Sequence, residues 1–122
     1  VIAQIPWSKE AEAGLIKSAG ADLGLIKNQV INKNAQLWKI DTETAKGYLV
    51  TRIDCEGIGK VFVFVLGEGR QLGEVIPHFI TSAQNHGIKH FRTHVQRKGL
   101  IRMWKKFGLT LDHYVLRNDT NG

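Results

Sequence analysis

The run Lys60-Val-Phe-Val-Phe-Val-Leu66 constrains this chain more than any other segment. β-Branched and aromatic residues favour strand. Apolar side chains fall on both of its faces, so both must be covered and the strand is central in its sheet. The turn Cys55-Glu56-Gly57-Ile58-Gly59 precedes it, which makes residues 47–54 an antiparallel partner. Residues 35–41 read as a further strand, joined through a turn at 42–46. After the strand comes Gly67-Glu68-Gly69-Arg70-Gln71-Leu72-Gly73, a loop by composition. The period then changes: Leu72, Val75, Ile76, Phe79, Ile80 and Ala83 recur at helical spacing. Pro77 must lie in the first turn of that helix or kink it. Asn85-His86-Gly87 ends it.

The remaining segments complete one domain. Residues 1–5 are short and apolar and stop at Pro6. Ser8 is placed to cap a helix, with Glu10 and Glu12 in its first turn. Ala11, Leu15, Ile16, Ala19 and Leu23 follow at helical spacing, and the glycines set an end near Gly20 or Gly24. Residues 25–34 suit a short second helix. In the second half, 88–95 reads as strand, 97–107 as helix stopped by Gly108, 110–118 as a last strand, and 119–122 as a frayed tail. Strand–helix–strand there is a right-handed parallel crossover. The expected fold is a single α/β domain with a mixed central sheet and helices on both faces. It divides into a helical part (1–34), antiparallel strands (35–66) and a helix-strand-helix-strand half (67–118).

Of the 122 residues only one is cysteine, Cys55, which excludes a disulfide framework and a multi-cysteine metal site. A turn cysteine with no placed histidine is inert, and the expected compartment is the reducing cytoplasm. No stretch approaches the roughly 18 apolar residues of a membrane span, and the first residues show no leader pattern. The net charge is +6, and its distribution is uneven. Between 75 and 111 there is no Asp or Glu, but there are Lys89, Arg92, Arg97, Lys98, Arg102, Lys105 and Lys106. The rest of the chain is nearly balanced, so the second half is expected to attract an anion.

The order of elements in that half, with Arg70 and Gly73 between strand and helix and Met103-Trp104-Lys105-Lys106-Phe107-Gly108-Leu109 before the last strand, resembles the GNAT superfamily of N-acetyltransferases. It is most similar to small, divergent GNAT-like proteins of tailed bacteriophages. The family's pyrophosphate turn reads Arg/Gln-x-x-Gly-x-Gly/Ala, and Arg70-Gln71-Leu72-Gly73-Glu74-Val75 matches at Arg70 and Gly73. It departs at Val75. Backbone N–H groups at a helix N-terminus face phosphates there, and glycine permits close approach. The family's later motif is altered at Arg97, Leu100 and Trp104, where an indole replaces a tyrosine able to donate a proton.

The resemblance implies acetyl transfer from acetyl-CoA to an amine acceptor. Arg70, Gln71, Leu72 and Gly73 would bind the cofactor's pyrophosphate, with Arg97 and Lys105 assisting. Glu68, just beyond the central strand, is the nearest base, and Tyr114 is the acid. Asp54 and Glu56 lie at the strand's other end. The altered positions Val75, Arg97 and Trp104 support an alternative: an inactive GNAT-fold module that binds phage virion proteins or nucleic acid through its basic half. Such a protein would reside in the host cytoplasm or the virion. Five histidines invite a metal reading, but His90 and His94 lie about 13 Å apart along a strand, sharing a face with Arg92, and no metal site is expected. No P-loop, dinucleotide fingerprint or nucleophile elbow occurs.

Overall fold

The structure, a computed structural model, describes residues 1–93. They form a five-stranded sheet in simple sequence order: β1 (Ile2–Ile5), β2 (Gln36–Asp41), β3 (Lys46–Glu56), β4 (Gly59–Arg70) and β5 (His90–Thr93). The first four strands pair antiparallel, and β4 and β5 pair parallel. The helices are α1 (Lys9–Ala19), α2 (Leu23–Ile31) and α3 (Ile76–Asn85). Ala11, Leu15, Ile26 and Val30 of α1 and α2 pack with Leu37, Val50, Val61 and Val63 on one face of the sheet. Phe79, Ile80 and Ala83 of α3 pack with Ile40, Leu49, Phe62 and Phe64 on the other. This is the mixed sheet, covered on both faces, that the central run demands.

Local chemistry accounts for the helix boundaries. The Ser8 hydroxyl accepts the Ala11 N–H at 3.2 Å and starts α1, with Glu10 and Glu12 at its positive end. Gly20, at φ +52°, ends it. A 3₁₀ turn, Gly20–Asp22, leads straight into α2, so Gly24 lies inside a helix rather than ending one. Pro77 sits in the first turn of α3, where its missing N–H has no intrahelical use.

The structure adds one element to the sequence reading and corrects two of its bounds. First, Ile2–Ile5, left without an assignment, is a strand at the sheet edge; four residues are too few for alternation to reveal it. Ile2 packs on the α3 side and Ile5 on the α1/α2 side. Second, β3 extends to Glu56, so Cys55 is a strand residue opposite Lys60 and the turn shrinks to Gly57 and Ile58. Third, β4 does not stop at Leu66. It continues through Gly67, Glu68 and Gly69 to Arg70, paired with the start of β3.

Two glycines make that extension possible. Gly47 and Gly69 face each other, both at φ +150°, a region closed to side chains. A Cβ on either would lie 2.7 Å from the other's Cα and would collide with a facing carbonyl oxygen. Just before this crossing the register slips. Val50 is opposite Leu66 while Thr51 is opposite Phe64, leaving Val65 as an extra residue. Val65 and Leu66 consequently pack on the same side, with α1 and α2.

The two cores differ in character. Under α3 it is aromatic: Phe62 meets Phe64, and Trp38 meets Phe79, each edge-on at 5.1 Å between ring centres. A buried hydroxyl on this side, that of Thr51, accepts from Trp38 Nε1 at 2.9 Å and donates to Gln36 Oε1 at 3.0 Å, so burial leaves it satisfied. No helix of the described residues is long and apolar enough to cross a membrane. Strand β5 is observed at His90–Thr93, inside the expected 88–95. The expected helix 97–107 and strand 110–118 lie outside the described residues.

Candidate functional site

The end of β4 and the start of α3 form one continuous turn. Arg70 is the exposed last residue of the strand, opposite Lys46. Gln71 then takes a left-handed conformation, φ 59° and ψ 29°, and reverses the chain into a 3₁₀ turn, Leu72–Val75, that runs into α3. The Glu74 N–H closes on the Gln71 carbonyl at 3.1 Å, and Val75 is buried in the aromatic core. The N–H groups of Gln71, Leu72 and Gly73 come before that bond, at the start of the turn. They stand where a helix leaves its first donors without intrahelical acceptors and its dipole positive. Arg70, Gln71, Leu72 and Gly73, named from sequence, occupy this one turn.

The Val75 side chain points into the core and does not cover the turn. The Glu74 carboxylate accepts a hydrogen bond from Thr44 Oγ1, which ties it to the β2–β3 turn.

Glu68 is a strand residue, contrary to its reading as a loop carboxylate, because β4 runs on past the bulge. It is half-buried and lies directly across from Tyr48. Ser18, in the last turn of α1, donates its hydroxyl to Glu68 Oε2, and its oxygen lies 3.4 Å from the Gly67 carbonyl oxygen. The Tyr48 phenol is pushed above its ordinary value, chiefly by burial and then by its hydrogen bond to the Glu10 carboxylate. It stays protonated at neutral pH. Helix α1 passes this close because Gly14 has no side chain; a Cβ there would lie 2.9 Å from the Tyr48 ring.

The other carboxylates weighed from sequence lie at the opposite end of β3 and β4. Asp54 is held by Arg52 at 2.8 and 3.1 Å. Glu56 receives both Arg92 guanidinium nitrogens, at 2.6 and 3.0 Å. Arg92 belongs to the acid-free stretch of sequence, yet its charge is matched by an acid from another strand. Among the described residues no three His, Cys, Asp or Glu side chains converge as metal ligands. Arg97, Lys105 and Tyr114, with His94, Lys98, Arg102, Trp104 and Lys106, lie outside the described residues.

Sequence reasoning missed Ser18, Tyr48 and Thr44. No local pattern marks them, since each acts on a residue distant in sequence and brought close only by the tertiary fold. No protein-family model and no curated protein matches the chain. Solved structures do. A crystal structure of a probable acetyltransferase superposes with a TM-score of 0.66 over 93% of this chain and 92% of that one, at 9% identity. The fold is GNAT-like. TTHA1254 from Thermus thermophilus matches over 90% of both chains, with TM-scores of 0.58 for a point mutant and 0.53 for the wild type, at 21% and 20% identity. At these identities the likeness is one of backbone path. The likeness therefore shows the fold, and any site must be argued from this chain's own residues.

Proposed function

We propose that the chain is an acyl-CoA-dependent N-acyltransferase that moves an acetyl group from acetyl-CoA to an amine. The observation that carries this reading is the turn from Arg70 to Gly73: an exposed arginine, three backbone N–H groups at the start of a helical turn and a side-chain-free glycine at one strand-to-helix junction. That donor set suits a pyrophosphate, and the nearest acid, Glu74, is held by Thr44.

When bound, acetyl-CoA supplies a thioester carbonyl whose C–S bond breaks as the C–N bond to the amine forms. Glu68 takes the proton released by the attacking nitrogen at Oε1, while Ser18 holds Oε2. In this reading Tyr114 returns a proton to the departing sulfur, and Arg97 and Lys105 assist the anionic cofactor. Most of the acceleration comes from holding amine and thioester together.

Intrinsic tryptophan fluorescence tests the proposal. Saturable quenching by acetyl-CoA is expected, and none at millimolar concentration overturns it. Steeply salt-dependent binding to duplex DNA without acetyl-CoA binding would put the inactive basic module in its place.

A further inference from the structure

The Gly47–Gly69 crossing sets two cations against each other. One residue beyond it, Lys46 and Arg70 are directly paired across β3 and β4, and paired residues share one face of a sheet. The strands run close there, since a Cβ on Gly69 would collide with the Lys46 carbonyl oxygen. Like charges directly opposite each other destabilise a strand pair, and an anion held between them turns that repulsion into attraction. We propose that Lys46 is a further cofactor-binding residue, which holds a phosphate of acetyl-CoA jointly with Arg70. The inference rests on the acyltransfer reading and extends its anion site from the β4–α3 turn to the β2–β3 turn.

Packing fixes Lys46 beside the donor turn. Ala45, just before it, is fully buried in the same core as Val75 and Ile76. Thr42 closes the β2–β3 turn twice. Its N–H donates to the Ala45 carbonyl at 2.9 Å, and its hydroxyl oxygen accepts the Ala45 N–H at 2.8 Å. Thr44 then reaches across to Glu74 in the 3₁₀ turn. The two turns thus rest on one core and are bonded to each other. Lys46 begins β3 at the point where Arg70 ends β4.

The acids close to the pair in sequence or by register leave room for a ligand. Glu68 is bonded to Ser18, and Glu74 to Thr44. Asp41 is bonded to Lys46, but the two side chains are 55% and 50% exposed, and an ion pair so exposed is worth little. A phosphate offers acceptor oxygens to the ammonium and the guanidinium at once, which makes it the stronger partner for the pair. Asp41 is therefore a competitor for Lys46, displaced when the cofactor binds.

Opposite signs in two variants separate this role from a structural one. Acetyl-CoA is titrated calorimetrically into the full chain at low ionic strength. Lys46→Gln should bind about fivefold more weakly, and Asp41→Asn about twofold more tightly because it frees the ammonium. Lys46→Arg should bind like the parent chain. Glu43→Gln, which removes an exposed acid of the same turn, should change nothing. If the Lys46–Asp41 pair only clips the turn, breaking it from either side acts in the same direction. That result, parent-like affinity in Lys46→Gln, or a gain in Glu43→Gln equal to that in Asp41→Asn overturns the proposal and leaves the acyltransfer reading standing. No saturable binding by the parent chain overturns the reading, and the proposal with it.

Discussion

From Val61 to Phe64, β4 pairs on both sides in unbroken register, and its side chains alternate between the aromatic and aliphatic cores. From Val65 to Arg70 the same strand carries a bulge, two glycines and a half-buried carboxylate, and ends beside a left-handed residue. The first half commits its side chains to burial. Past Leu66 the second half has less side-chain burial and a glycine-bent backbone, and in the proposed reading it carries the acid and leads into the donor turn. Regular packing and local irregularity thus follow one another along one strand.

Substitutions can break this comparison or sharpen it. Phe64→Ala removes a fully buried ring and should lower unfolding free energy by about 3–5 kcal/mol, read by denaturant titration. Acetyl-CoA affinity of the folded fraction should not change; a large change would mean the halves are not separable. Glu68→Gln should do the reverse, cutting turnover by about 10²–10⁴-fold with stability and cofactor affinity kept. Unchanged turnover removes Glu68 as the base. Gly69→Ala belongs to both halves. It should cost about 1–3 kcal/mol of stability through its backbone conformation. It should also weaken acetyl-CoA binding, because it displaces the strand end that carries Arg70.

Two smaller changes lie outside β4 and serve as controls. Ser8→Ala removes the α1 cap and should cost about 1 kcal/mol in a thermal or chemical melt, with no effect on cofactor affinity. Glu12 titrates below its ordinary value of 4.5, first through its hydrogen bond from Trp7 and then through Lys27. Its contribution is present above pH 4.5 and is lost as pH falls through the lower folded value. Glu12→Gln should therefore flatten the acid side of the melting-temperature profile.

The regular half of β4 was legible because a strand that is apolar on both sides is stable only in the middle of a covered sheet. The irregular half was not. Gly67, Gly69 and Gly73 have the composition of a loop, and only pairing with Lys46, Gly47 and Tyr48 makes part of that segment a strand. The turn itself was legible from Arg70 and Gly73, while its supports were not. Ser18 reaches Glu68 across 50 positions and Thr44 reaches Glu74 across 30. Charge misled for the same reason. Arg92 stands in a stretch without acids, and its partner Glu56 comes from 36 positions earlier. Contacts made by tertiary packing leave no trace in a local window.

The facing pair Gly47 and Gly69 has an evolutionary consequence. A methyl group at either position would fill the same gap, so the two sites are not independent. The first substitution should cost most, and the second should cost less than it would alone, because the strands have already been forced apart. Single-step change is therefore blocked at a point that sets where the turn sits relative to the sheet. Sequence divergence near the turn has an easier route through the side chains around that crossing than through the crossing itself.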